Sequence, residues 1–487
     1  MISVKDRSEA CQHSLAVSHL PFRHGEFAVV IASAVLLFAA AYFSPHIWRH
    51  GEAREALVIQ DIVENHHWLL PLRNQELPSK PILYHWIAAA VAMLFGFSDL
   101  AIRLPSVIAA VVMVWLTYRL GALTGNDKVA LLAVAILGTT FEFWNSATEA
   151  RVDMLFAALL GSALLAWYLW YCSGAESARA AAYLAVAGAV LTKGPAGAVL
   201  PILVIGSFAL IERNWRSLVK FVSWPWLTIA VAVVAGWYLA AFRLGGSDLL
   251  YKQIVFENID RFLGAGEFHT RKGPFLHVRW FLTELFPWSL LVLWILVRRW
   301  RGQPWDRFSR FLQCWWLGIF IFFLLARGQR AVYLLPIYPA IVLLAARECV
   351  SFWHGRSAPR LPTIRWNWRT PAIGFLVTMD LALAAAVPIR RTVQQNRSRQ
   401  EKFVENVVAT VPAGASLQAS KNFPEPVLLV LAYRLKRDIE RQSLNCNSRA
   451  YYLTTGGADP CTAGDVQVVV SSSDHRLNLL QVPALSR

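Results

Sequence analysis

Apolar runs of about 18–20 residues recur along most of this chain, and they constrain its fold more than any other feature. A run of that length matches the hydrocarbon core of a bilayer. In lipid, backbone polar groups must be satisfied inside the segment, and a helix does this. Such runs read at 27–43 ("FAVVIASAVLLFAAAYF"), 103–121, 129–146, 153–171, 180–193, 195–211, 224–242, 278–297, 311–325, 331–346 and 371–388. Composition agrees: 56% of the 487 residues are hydrophobic and only 16% charged, a balance soluble globular domains rarely show. The chain reads as an all-α polytopic membrane protein. No small-residue cleavage site follows the first run, so it reads as a retained span.

The stretch 81–97 ("PILYHWIAAAVAMLFGF") is short and follows Pro81, which suits a re-entrant or interfacial helix. Charge settles its role. With the N-terminus cytoplasmic and 81–97 not crossing, the arginine-rich stretches 212–220, 298–310 and 347–369 all fall inside, as the positive-inside rule requires. Letting 81–97 cross would put every one of them outside. The net charge of +16 then orients helices, and nucleic acid is not an expected partner.

This divides the chain into a cytoplasmic N-terminus (1–26), a transmembrane domain (27–388) and a soluble periplasmic domain (389–487). The transmembrane domain has about eleven spans, with juxtamembrane helices in 44–98. The tail carries strand-like runs at 450–455 and 465–470 and a helical stretch near 425–441, which predicts a small α/β fold. Cys446 and Cys461 share that tail, where a disulfide and free thiols both remain open. Cys11, Cys172, Cys314 and Cys349 form no ligand cluster in sequence.

On this topology the ionisable residues that ought to be expensive gather on one face. Glu52, Arg54, Asp61 and Lys80 belong to the first outer loop. Glu149, Arg151 and Asp153 belong to the second, Lys193 to the third, His269 to the fourth, and Arg327 and Arg330 to the fifth. Each has a plain explanation alone: an amphipathic surface helix around Glu52, a helix-start charge at Asp153, snorkelling at Lys80 and Lys193. Their convergence from five loops is what points to a site. Cations in number suit a phosphate, and a carboxylate suits a proton acceptor. A departing phosphate needs charge stabilisation more than a general acid, whereas an attacking hydroxyl or amine gains from a base. One carboxylate with Lys/Arg clamps is therefore enough for inverting sugar transfer from a phospholipid-linked donor. A hydrolase would more usually need two carboxylates.

The stretch 51–106, from "GEAREALVIQDIVENHHW" to "DLAIRLPS", resembles the first outer loop of the bacterial protein-mannosyltransferase-like superfamily. That superfamily has the GT-C glycosyltransferase fold and includes the aminoarabinose transferases of lipid A. "ARVDMLFA", "LTKGP" and "RAVYLLPIYPAIVLL" match its later motifs in order, over roughly residues 25–390. The resemblance implies Glu52 and Asp153 as catalytic carboxylates. It implies donor contacts from Arg54, Lys80, Lys193, His269, Arg330 and Tyr333. Many relatives begin the first motif with Asp-Glu where this chain has Gly51-Glu52, which leaves the base role to Glu52 or Asp153. Ser79 stands where an acid precedes the lysine in aminoarabinose transferases, so neither a divalent metal nor that sugar follows from the motif.

The expected function is transfer of a sugar from a polyprenyl-phosphate donor to a lipid, glycan or protein acceptor, at the periplasmic face of a bacterial inner membrane. No cofactor follows from the sequence, and a divalent metal stays open. The rivals are a secondary transporter or lipid flippase, for which an internal repeat and mid-membrane charges would be expected, and an oligosaccharide polymerase or ligase.

Overall fold

A computed structural model describes residues 24–265, 275–300, 305–353, 369–442, 450–455, 466–474 and 476–482. The chain divides into two units. One comprises residues up to Tyr42, Ser79–Tyr84 and Arg103–Val387; the other comprises Phe43–Pro78, His85–Ile102 and Pro388 onward.

Among the described residues the first unit is built of helices. Six helices among the described residues are long and apolar enough to cross a membrane: Gly25–Tyr42, Asp99–Ala122, Val152–Ser173, Trp224–Leu263, Arg307–Leu325 and Ala331–Phe352. Two bent pairs raise the number to eight if each is one span: Asp127–Gly138 with Phe141–Ala147 (74°) and Leu276–Glu284 with Trp288–Arg298 (107°). The other expected spans are also helical but shorter or more polar: Glu176–Lys193, Ala196–Ile211 and Arg369–Arg397. The core is aromatic and tightly layered. Trp167 stacks on Phe311 at 5.7 Å and Tyr168 on the same ring at 4.7 Å, a geometry that adds to simple area burial. Arg119 reaches back to Glu26 at 2.6 Å and anchors the first helix.

The stretch 81–97 forms the helix Leu83–Phe95, thirteen residues and about 20 Å long at 1.5 Å per residue, too short to cross a bilayer of about 30 Å.

In the second unit the described residues of the tail build a five-stranded sheet in the order β2-β1-β3-β5-β4. Strand β1 (Leu417–Ala419) runs parallel to β2 (Glu440–Arg441) and β3 (Ala450–Thr455). Strand β5 (Leu477–Val482) is antiparallel to β3 and β4 (Gln467–Ser471). Both expected strand regions are present, and the expected helix ends earlier, as Glu425–Leu435. The sheet domain does not stand apart as 389–487. Residues 43–78 and 85–102 belong to the same unit, and the helix Glu425–Leu435 packs on the helix His50–Asn65. Arg73 bonds Glu425 at 2.9 Å, Tyr433 donates to Asp99, and His46 meets the other Asp99 oxygen at 3.0 Å. Cys446 and Cys461 lie outside the described residues.

Candidate active site

The helical unit holds a cluster of buried charges drawn from several helix ends. Lys193 ends the helix Glu176–Lys193, and Asp153 sits in the first turn of Val152–Ser173. Their Nζ–Oδ1 distance is 2.7 Å. Arg151 Nη2 lies 3.2 Å from the other Asp153 oxygen, and its Nη1 lies 3.6 Å from Glu149. The Lys193 ammonium rests over the rings of Tyr333 (4.6 Å) and Phe156 (4.8 Å), each a cation–π contact.

Tyr333 links this group to a second one. Arg261 Nη1 donates to the Tyr333 hydroxyl at 3.2 Å, and its Nη2 lies 2.7 Å from Glu257. Lys80 Nζ donates to the same Glu257 oxygen at 2.7 Å, and Gln253 holds the Lys80 carbonyl at 3.0 Å. Burial pulls the Lys80 ammonium below the ordinary lysine value, and Glu257 opposes that pull without cancelling it. Arg330, at the start of Ala331–Ile337, adds its positive charge to the field at Asp153 and Tyr333. Five cations thus surround three carboxylates, and the excess suits an anion.

Beside the cluster lies a cavity of about 300 Å³ with Lys80, Lys193, Glu257, Arg261 and Tyr333 at its polar end. Phe156, Val199, Phe262, Leu263, Phe322 and Phe323 form apolar walls. The shape is that of a site for a molecule with a charged head and a greasy tail.

Local backbone makes the cluster possible. Beyond Trp224–Leu250 the chain winds as a π-helix over Tyr251–Asp260, which buries Gln253 and Glu257. Gly328 meets the end of this segment: its N–H bonds the Arg261 carbonyl at 2.9 Å, and a Cβ there would lie 2.4 Å from that oxygen. Gly194 has φ +80°, which lets the chain turn directly after Lys193.

The second unit carries its own buried acids. Glu52 is 2% exposed in the first turn of the helix His50–Asn65. One turn on, Glu55 accepts from Arg54 Nε (3.0 Å) and Nη2 (2.8 Å), while His85 Nε2 meets its other oxygen at 2.8 Å. Burial alone would raise this carboxyl, but Arg54 and His85 together hold it well below the usual carboxylate range. Asp61 accepts from the Leu72 N–H at 2.7 Å and fixes the following loop.

The structure therefore brings together Lys80, Asp153, Lys193 and Tyr333, with Arg330 contributing its charge. Glu52 and Arg54 lie in the other unit, Arg54 paired with Glu55. His269 lies outside the described residues. Glu257 and Arg261 were not selected from sequence, although both lie in the fourth-loop stretch 256–275. Their signal was an acid and a base four residues apart, flanked by Ile259 and Phe262. Among the described residues no group of three His, Cys, Asp or Glu could hold a metal ion.

Three comparisons bear on this arrangement. A family model described as dolichyl-phosphate-mannose-protein mannosyltransferase matches residues 79–238, a third of the chain. An undecaprenyl phosphate-alpha-4-amino-4-deoxy-L-arabinose arabinosyl transferase of Shewanella sediminis is 26% identical over 333 residues, covering 66% of this chain and 60% of that protein. An uncharacterized protein of Aquifex aeolicus is 27% identical over 324 residues, covering 66% and 63%. The chain thus spans about 60% of the length of the curated relatives it matches. The crystal structure of ArnT from Cupriavidus metallidurans bound to undecaprenyl phosphate superposes with a TM-score of 0.77 at 16% identity, covering 94% of this chain and 98% of that one. The fold is that of the GT-C glycosyltransferases, and the resemblance to the lipid A aminoarabinose transferase type read from the sequence is borne out. The chain is a multi-pass membrane protein.

Proposed function

We propose that this chain is an integral membrane glycosyltransferase. It takes a sugar from a polyprenyl-phosphate-linked donor and passes it to a lipid or protein acceptor at the periplasmic face of a bacterial inner membrane. One observation carries the reading: the cation cluster of Lys80, Lys193 and Arg261 opens onto an apolar-walled cavity. A phosphate would sit among the cations while the prenyl chain follows the phenylalanine wall. The relatives' names point to the same donor class.

The chemistry then follows from charge. The donor is a phosphodiester with one negative charge, and breaking the sugar–phosphate bond adds a second. Lys80, Arg261 and the Tyr333 hydroxyl are positioned to stabilise that growing charge in a poorly hydrated site. Asp153 has both oxygens engaged, one by Lys193 and one by Arg151, which makes it a positioning group for the lysine. Glu257 is likewise held by Lys80 and Arg261. With both Asp153 oxygens engaged and Glu257 holding two cations, this reading gives the acceptor's proton to Glu52, the carboxylate that the resemblance assigns. The acceptor oxygen or nitrogen bonds to the anomeric carbon as the phosphate departs from the opposite side, and the configuration inverts.

Lys80→Ala and Glu52→Gln test the two roles. Envelope lipids and glycoproteins from cells carrying each variant are compared by mass spectrometry with wild type and with a deletion strain. The reading expects a sugar-bearing species that disappears in the deletion and in both variants while the protein stays folded in membranes. Undiminished transfer in either variant contradicts the role given to that residue.

A further inference from the structure

Two further cavities lie at the end of the helical unit remote from the Lys80–Lys193 cluster. Arg347 stands fourteen residues beyond Tyr333, about 20 Å along the same helical run at 1.5 Å per residue. Around it a polar chamber of about 350 Å³ is lined by Thr124, Asn126, Ser309, Arg347, Glu348 and Ser351. Beside it an apolar groove of about 590 Å³ is walled by Leu132, Leu291, Trp294, Phe352 and Leu376.

The two cavities are neighbours along the same helices. They share Glu348. Val129 of the chamber lies one turn from Leu132 of the groove on Asp127–Gly138. Ile295 stands beside Trp294 on Trp288–Trp300, and Ser351 beside Phe352 on Tyr338–Trp353. Both volumes fall in the range of roughly 300–1,000 Å³ typical of small-molecule sites. A charged chamber that continues as an apolar groove between membrane helices fits a lipid headgroup followed by its acyl chains.

The charges select among headgroups. Arg347 donates to Ser309 Oγ at 2.6 Å and lies 3.2 Å from Asp306; Arg298 pairs with Glu348. The chamber wall itself presents one charge of each sign, Arg347 and Glu348, which favours a ligand bearing both signs over a simple anion. We propose that the chamber and groove bind a zwitterionic phospholipid of the phosphatidylethanolamine type, its phosphate on Arg347, its ammonium on Glu348 and its chains in the groove. The Asp306 side chain is 46% exposed, and exposed ion pairs contribute little, so a lipid phosphate displaces it from Arg347 at small cost.

Native mass spectrometry of the full chain in mild detergent, after incubation with palmitoyl-oleoyl phosphatidylethanolamine or the matching phosphatidylglycerol, tests this. Wild type should retain one phosphatidylethanolamine in preference to phosphatidylglycerol by about tenfold, the worth of one charge-assisted contact. Glu348→Gln should lose that preference. Leu291→Trp, which fills the groove, should lose retention of both lipids. Both variants lie away from the residues assigned to sugar transfer, so retained transfer in membranes shows that they fold. Equal retention of the two lipids by wild type, no retained lipid, or behaviour like wild type in both variants overturns the proposal.

Discussion

At the scale of single residues, charges buried in pairs are the clearest signal this chain offers. Lys80, Asp153 and Lys193 were legible in sequence because each interrupts or borders an apolar run, where an unpaired charge is costly. Glu257 and Arg261 escaped because 243–277 mixes acids and bases without a long apolar background. Their importance appears only when Lys80, distant by 177 positions, is seen sharing the Glu257 oxygen. Glu257 occupies Lys80 and Arg261, the two cations to which the proposed function gives the donor phosphate. Glu257→Gln should therefore lower the KM for a polyprenyl-phosphate donor severalfold; a raised KM would instead assign Glu257 to holding the clamp in shape. Glu55 yields a pH prediction. Its folded carboxyl sits below its ordinary 4.5, so its stabilising contribution is complete above that pH and is lost as pH falls from 4.5 toward the folded value. Thermal melting of purified wild type should exceed that of Glu55→Gln at neutral pH, and the gap should close in acid. A gap independent of pH contradicts the pairing with Arg54 and His85.

At the scale of elements, apolar periodicity and length located the helices well, and the thirteen-residue helix Leu83–Phe95 agrees with a segment that does not cross. Bends were less visible. The run 129–146 reads as one span, yet the chain turns by 74° between Asp127–Gly138 and Phe141–Ala147. Nor does composition distinguish a π-helix over Tyr251–Asp260 from an α-helix, since the choice depends on packing against Lys80 and the 326–330 loop. That loop supplies an element-level prediction. Gly328→Ala places a Cβ against the Arg261 carbonyl, and the collision is with backbone, which gives little. Transfer should fall by about tenfold or more through displacement of Arg261, because small misplacements in a site have such effects. Activity like wild type in Gly328→Ala would show that Arg261 is positioned by other means.

At the scale of the whole chain, hydropathy separated a membrane part from a polar tail, and the division near 388 coincides with a unit boundary. It did not reveal that residues 43–78 and 85–102 belong with the tail. Bonds such as Arg73–Glu425 and Tyr433–Asp99 join positions more than 300 residues apart and leave no periodic trace in sequence. On the proposed function, the cation cluster and apolar cavity of the helical unit form one site for a lipid-linked phosphate. The most direct measurement is binding of undecaprenyl phosphate to the purified full chain, with Arg261→Ala and Lys80→Ala alongside wild type. Losing a charge-assisted phosphate contact should weaken binding by about tenfold or more in each variant. Affinity unchanged in both would contradict the account.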